Sequence, residues 1–158
     1  MPRIVIIGNS GSGKSTLARQ LSNNGKTATL DLDTIVWEPG KIAVPRTAEA
    51  AHADLEAFCT THTDRIAEGC YGALAEYTLR WTPELIFVNP GEAACVANCR
   101  ARPWEPHKYA SKAEQDSKLE FLLTWVSAYY TRDDDMSLAR HRAIFDTYTG
   151  PKREITQQ

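Results

Sequence analysis

The sequence predicts one α/β domain, in which a short parallel sheet of four to five strands is flanked by helices and followed by a helical C-terminal region. Two observations lead to this prediction. Short apolar runs rich in Ile, Val and Leu, such as Arg3–Ile7 and Glu84–Val88, are typical of strands buried on both faces. These runs alternate with segments of helical spacing, which indicates βαβ units joined by right-handed crossovers.

The first half of the chain supplies two strands and two helices. Arg3–Ile7 runs directly into a Gly/Ser loop, and Ser15–Leu21 is predicted to be helical up to the stop signal Ser22-Asn23-Asn24-Gly25. Thr27–Leu32 is β-branched and alternating, which favours a second strand. Thr47 is a suitable N-cap for a helix that continues to about Thr61.

The middle of the chain repeats this alternation. Arg65–Gly69 is the weakest strand candidate, and Ala73–Trp81 is predicted to be helical. Glu84–Val88 is a clear buried strand closed by Asn89-Pro90-Gly91. A helix from Glu92 to about Arg102 follows it.

The last third contains helices and no convincing strand. Ser111 and Glu114 form a capping-box pattern that opens a long helix to about Tyr130. Another helix is expected over Ser137–Tyr148. We therefore predict a single domain over residues 1–150 and a polar tail over residues 151–158.

Composition narrows the class of protein. The chain has 158 residues, and 18 Lys and Arg against 20 Asp and Glu give a net charge of −2. Because nucleic-acid binding depends on a basic surface, nucleic acid is an unlikely main partner. There is no signal-peptide pattern, no apolar run long enough for a membrane helix, and no C-x-x-C among the four cysteines. We expect free thiols, no membrane contact and a cytoplasmic protein of unknown oligomeric state.

One motif carries specific chemistry. Residues Gly8, Asn9, Ser10, Gly11, Ser12, Gly13, Lys14 and Ser15 match G-x-x-x-x-G-K-[ST], and Thr16 follows. A strand precedes the motif and a helix follows it, as a phosphate-binding loop requires. In such a loop Lys14 reaches the β and γ phosphates and the Ser15 hydroxyl ligates Mg²⁺. The motif predicts a three-layer P-loop NTPase fold that binds ATP with Mg²⁺.

The motif alone does not identify the reaction. GTPases usually carry N-K-x-D, which the chain lacks, and a large motor or AAA ATPase needs far more chain. Small phosphotransferases remain as the main class, with a nucleotide-dependent switch or binding ATPase as the alternative. The preference for ATP over GTP stays open.

The N-terminal loop, the Asp-rich end of the second strand, Glu-Gly after the third and the Arg-rich stretch after the fourth resemble adenylate-kinase-like and shikimate-kinase-like small-molecule kinases. More narrowly, I-I-G-N-S-G-S-G-K-S-T-L-A and L-D-x-x-x-W-x-P-G resemble a bacterial subgroup often labelled DNA topology modulation proteins. The resemblance covers roughly residues 1–102.

The resemblance implies roles for residues beyond the loop. Asp31 would organise Mg²⁺ waters, and Asp33 would orient or deprotonate the acceptor; we expect both on one strand, facing the same way. Glu68 would hold metal-bound water, and Gly69 would lie near the acceptor. Asn89 stands where the subgroup more often has Asp.

The resemblance also implies a lid over about residues 100–112. Its arginines, Arg100 and Arg102, would cover the transferred phosphoryl group, and His107, Lys108 and Lys112 extend the basic cluster. Arg46 and Arg80 fall on the acceptor side, where nucleotide kinases bind a substrate phosphate. The acceptor would be a nucleotide, a nucleoside or a hydroxylated metabolite.

Overall fold

A computed structural model describes residues 2–41, 44–106 and 108–157. Five strands form one parallel sheet in the order β2-β3-β1-β4-β5, and helices cover both faces. The strands are β1 (Arg3–Gly8), β2 (Ala28–Asp31), β3 (Arg65–Gly69), β4 (Glu84–Val88) and β5 (Lys152–Ile155). The helices are α1 (Lys14–Leu21), α2 (Asp33–Val36), α3 (Ala48–Thr61), α4 (Gly72–Thr78), α5 (Glu92–Ala101), α6 (Lys112–Ser117), α7 (Leu119–Ala128) and α8 (Leu138–Thr147).

The central strand β1 sets the three layers. Its side chains alternate between the two faces of the sheet, as the pleat requires. Ile4 and Ile6 belong to an apolar cluster with Ala18 of α1, whereas Val5 and Ile7 belong to a cluster with α4 and α8. The predicted three-layer α/β fold is confirmed. In the part of the chain that the structure describes, no helix has the length and apolarity needed to cross a membrane.

The predicted polar tail is wrong. Lys152–Ile155 forms β5, which pairs in parallel with β4 at one edge of the sheet. Its charged side chains concealed the strand, because an edge strand buries little and can carry charge. Arg142 of α8 holds Glu154 with two hydrogen bonds of 2.8 Å, and Arg153 pairs with Glu84.

The predicted long helix after Ser111 is divided in two. The Ser111 hydroxyl accepts a hydrogen bond from the Glu114 amide, so the predicted cap is confirmed. At Lys118, however, ψ rises to 1°, and α6 ends before α7 begins. The Ser117 hydroxyl donates to the Glu114 carbonyl, a local bond that competes with regular helix geometry.

A buried histidine attaches α8 to the rest of the fold. His141 is fully buried; its Nδ1 lies 2.7 Å from the Tyr129 hydroxyl and its Nε2 lies 2.8 Å from the Cys70 carbonyl oxygen. A carbonyl can only accept, so Nε2 carries the proton and Nδ1 accepts from Tyr129. Burial lowers the pKa of His141 to about 4, which keeps the ring neutral.

This histidine should make the protein less stable in mild acid. The folded pKa of about 4 lies below the ordinary value of 6.5, so the unfolded chain binds the proton more tightly. The free energy of unfolding should therefore fall as the pH drops from about 6.5 to 4, by on the order of 3 kcal/mol. Denaturant unfolding at several pH values measures this fall. His141→Gln should remove much of the slope, and an identical slope in both proteins would contradict the assignment.

Candidate functional site

The phosphate loop joins β1 to α1 and is shaped as the motif predicts. Gly11 and Gly13 have φ of +77° and +101°, a left-handed backbone that favours glycine. Lys14 begins α1 and is buried. Its ammonium donates to the Asn9 carbonyl oxygen over 2.6 Å, so the charge lies inside the curve of the loop. A concave, cationic loop at a helix N-terminus suits a phosphate.

The Ser15 hydroxyl and the carboxylates of Glu68 and Asp31 lie beside the loop. The Ser15 hydroxyl donates to Glu68 Oε2 over 2.6 Å, and the parallel register places Asp31 opposite Glu68 on the neighbouring strand. Burial raises the pKa of Glu68 despite nearby Lys14, and Asp31 raises it further. Burial and the charge of Asp33 likewise raise the pKa of Asp31.

These residues fit a magnesium ion. Mg²⁺ in nucleotide sites takes one or two carboxylates, a hydroxyl, waters and phosphate oxygens, and Ser15, Asp31 and Glu68 supply the protein's share. Burial is the main cause of the raised pKa values of Asp31 and Glu68, and a bound divalent cation would favour the ionised form of both carboxylates. The predicted metal set is therefore brought together at one edge of the sheet.

Asp33 reaches the site by a different route from the one predicted. β2 ends at Asp31, and Asp33 is the first residue of α2, so the two do not alternate along one strand. The chain turns here because Asp31 Oδ1 accepts a hydrogen bond from the Asp33 amide. Both carboxylates still lie at the carboxyl edge of the sheet, where ligands bind in parallel α/β folds.

Both oxygens of Asp33 are occupied by donors. The Tyr71 hydroxyl donates to Oδ1 over 2.5 Å, and the Lys108 ammonium lies 2.9 Å from Oδ2. Burial acts to raise the pKa of Asp33, but the charge of Lys108 and these two hydrogen bonds outweigh it and lower the pKa. Asp33 is thus a firmly ionised hydrogen-bond acceptor and a weak base.

The lid segment after α5 carries ions of alternating sign. Arg102 lies 3.1 Å from Glu105, and Glu105 lies 3.0 Å from Lys108, which pairs with Asp33. We call Arg102, Glu105, Lys108 and Asp33 the charge row. Arg102 also lies 3.5 Å from the Ser10 hydroxyl, so one end of the row touches the phosphate loop.

The remaining lid residues are less involved. Arg100 is exposed on the last turn of α5, and no ion pair joins it to any residue within the described ranges. Lys112 is exposed and pairs with Asp116 on its own helix. His107 lies outside the described residues.

The structure gives the three residues predicted on the acceptor side different surroundings. Arg80 lies just before β4, at the edge where the strands begin, and stacks on Tyr77; the structure does not bring it to the site. Gly69 is buried, and a Cβ there would meet Leu32 at 2.8 Å, so its small size serves packing. Arg46 follows α2 and binds Asp54 and the Ile35 carbonyl oxygen.

Two of the contacting residues were not predicted from the sequence. Tyr71 follows Glu68 and Gly69 at the carboxyl end of β3, a position that could have suggested a site residue. Glu105 lies three residues from both Arg102 and Lys108, and this spacing of opposite charges was a usable signal. Asn89, by contrast, donates to Glu154 of β5 and so contributes to the sheet edge.

The pairing of Asp33 with Lys108 can be tested by titration. Lys108→Met should raise the pKa of Asp33, because the carboxylate stays buried while its cationic partner is lost. Carboxyl-carbon NMR over a pH series measures that pKa. Lys112→Met, an exposed lid lysine paired elsewhere, is the matched control and should leave it unchanged. An Asp33 pKa that does not respond to Lys108→Met would contradict the proposed ion pair.

Three solved structures, two of them named as kinases, share this fold. A gluconokinase from Sinorhizobium meliloti 1021 superposes with a TM-score of 0.51 at 16% identity, covering 99% of this chain and 84% of that one. A shikimate kinase from Bacteroides thetaiotaomicron gives 0.53 at 17%, covering 80% and 78%. The YorR protein from Bacillus subtilis, in complex with phosphorylated GDP, gives 0.51 at 10%, covering 96% and 83%. At these identities the likeness establishes the fold alone.

The sequence comparisons give a family. No curated protein sequence matches the chain closely enough to count as a relative. Residues 3–150 match the family AAA_28, described as an AAA domain, and this match runs from β1 past α8. This description stands against the sequence argument that a large motor or AAA ATPase needs far more chain. The chain therefore belongs to the AAA_28 family of AAA domains.

Proposed function

We propose that the protein is an ATP- and Mg²⁺-dependent phosphotransferase that moves the γ-phosphoryl group to a small acceptor. The observation that supports this most is the carboxylate of Asp33, ionised and oriented by Lys108 and Tyr71 at the same edge of the sheet as the phosphate loop. A hydrolysing ATPase also orients its attacking water with a polar side chain, so the acceptor screen below decides between water and a small acceptor. The kinase folds of the solved neighbours agree with this proposal.

In the proposed reaction, residues of the phosphate loop and the lid bind the phosphates of ATP. Lys14 would leave the Asn9 carbonyl and neutralise charge on the β and γ phosphates. Arg102, already in contact with Ser10 of the loop, would stabilise the transferred group, and Arg100 is a further lid cation. Ser15, Asp31 and Glu68 would hold Mg²⁺, which neutralises phosphate charge when bound.

Asp33 is the residue that would orient the acceptor. In phosphoryl transfer the acceptor oxygen bonds to the γ-phosphorus as the bond to the β-bridging oxygen breaks, and positioning matters more than proton removal. The lowered pKa of Asp33 suits a group that orients an acceptor hydroxyl by accepting its hydrogen bond. Arg46 remains a candidate for binding an anionic acceptor, if it exchanges Asp54 for that anion.

An acceptor screen tests the proposal. The protein is incubated with γ-labelled ATP and Mg²⁺ and a panel of nucleosides, nucleotides, sugars and sugar acids. Oligonucleotides belong to the panel because of the resemblance to DNA topology modulation proteins. Transfer of label to at least one small acceptor is expected. Slow hydrolysis with no labelled acceptor anywhere in the panel would instead favour the alternative, a nucleotide-dependent switch.

Lys14→Ala should abolish most of this activity in a folded protein. Loss of one cation that stabilises the developing charge typically costs about 10²–10³-fold in rate. Lys26→Ala, at an exposed position after α1, is the control and should retain activity. Circular dichroism establishes that both variants are folded. Full activity of Lys14→Ala would refute the role of the loop.

Glu68→Gln should weaken the magnesium dependence. The substitution keeps the shape and an acceptor for the Ser15 hydroxyl but removes the charge. We expect the Mg²⁺ concentration that half-saturates ATP binding to rise about 10-fold. A fluorescent ATP analogue titrated with Mg²⁺ measures it, with the exposed Glu56→Gln on α3 as the control. Equal Mg²⁺ requirements in both variants would remove Glu68 from the metal site.

A further inference from the structure

One face of α5 lies directly against the tip of the phosphate loop. Asn98 Nδ2 donates to the Gly11 carbonyl oxygen over 2.8 Å. A Cβ on Gly11 would come within 2.5 Å of the Cys95 carbonyl oxygen and 2.7 Å of Cys99 Sγ. These three helix residues are spaced by three and four positions and therefore share one face. The tip of the loop thus touches helix backbone, with room for glycine only.

Asn98 is well placed to fix one peptide plane of the loop. In a trans peptide the carbonyl and the following amide point in opposite directions, so the Gly11 carbonyl and the Ser12 N–H extend from opposite edges of one peptide plane. The Ser12 N–H donates to the Asn9 carbonyl oxygen over 3.2 Å. The plane is therefore held from outside by Asn98 and from inside by Asn9.

This plane has glycine on one side. A flip of the Gly11–Ser12 peptide turns ψ of Gly11 and φ of Ser12, and Gly11, which has φ of +77°, tolerates backbone conformations that a Cβ would hinder. A flip would exchange the Ser12 N–H with the Gly11 carbonyl and place an acceptor beside the Asn9 carbonyl oxygen, which also accepts from the Lys14 ammonium on the inner side of the loop. A carbonyl oxygen facing a phosphate is repulsive, whereas an N–H is attractive.

We propose that Asn98 is a positioning residue, which holds the Gly11–Ser12 peptide in the orientation that binds the nucleotide phosphates. The inference rests on the proposed function only in that the loop binds a nucleotide, and it holds whether or not the phosphoryl group is transferred. Because Arg102 follows α5 directly, the helix that holds the loop also leads into the lid.

The effect should appear in binding and not in stability. Asn98 is exposed, so truncating it leaves no cavity in the core. Asn98→Ala should weaken ATP and ADP binding by about 3- to 10-fold, the factor that one hydrogen bond carries. The thermal midpoint should not change. The rate at saturating ATP and the KM for an acceptor should also stay as in the wild type.

Calorimetric titration with ADP and with a non-hydrolysable ATP analogue tests the proposal without any acceptor. Asn98→Gln keeps the amide donor and should restore most of the affinity. The matched control adds Ala97→Asn to Asn98→Ala, which moves the amide to a neighbouring exposed position on the same turn, and should restore nothing. Glu120→Ala on α7, an exposed polar residue away from the loop, should bind as the wild type does.

Two outcomes would overturn the inference. One is Asn98→Ala binding nucleotide as tightly as the wild type. The other is a loss of affinity that Asn98→Gln does not reduce or that a parallel fall in thermal midpoint accompanies, which would mark a structural role. Failure of the proposed function gives a different pattern, because nucleotide binding and its dependence on Asn98 persist while no acceptor is labelled.

Discussion

The parallel pairing of β3 between β1 and β2 is the constraint on which the site depends. It places Ile7 opposite Gly69 and Asp31 opposite Glu68, so that three consecutive strands end at one level. The phosphate loop follows β1 at that level, and the Ser15 hydroxyl after it donates a hydrogen bond to Glu68. A slip of β3 by one residue would turn Glu68 to the other face and separate the hydroxyl from the carboxylate.

The second organising principle is a balance of charge around this edge. Asp31 and Glu68 have pKa values raised by burial and by neighbouring carboxylates, whereas Asp33 has its pKa lowered by Lys108 and Tyr71. The three neighbouring carboxylates therefore differ in pKa because their surroundings differ. A metal ion would stabilise the charged form of Asp31 and Glu68, whereas Asp33 already has the cation Lys108 beside it.

The sequence was sufficient where one local pattern determines the structure. The residues Gly8 to Ser15 specify both a backbone shape and the strand and helix around it, so fold and loop were predictable. The sequence places Asp33 on the second strand, but a turn at Leu32 replaces that geometry, and the role of Asp33 in the site stays a prediction. Tyr71 and Arg80 could not be placed correctly from the sequence. Tyr71 reaches Asp33 across 38 positions, and Arg80 lies at the wrong edge, neither of which sequence spacing reveals. β5 was missed because the charges that suit an edge strand are the same ones that suggest a tail.

The charge row has a consequence for how a ligand arrives. Arg102 and Lys108 are balanced by Glu105 and Asp33, so the row as a whole is electrically neutral. The field of such an arrangement falls off faster with distance than that of a single charge, and a triphosphate in solution would feel little attraction until it is close. The row therefore adds little to the long-range attraction of the nucleotide or to its dependence on ionic strength. Selectivity for the anion would then arise at contact, when phosphate oxygens compete with Glu105 for the same two cations.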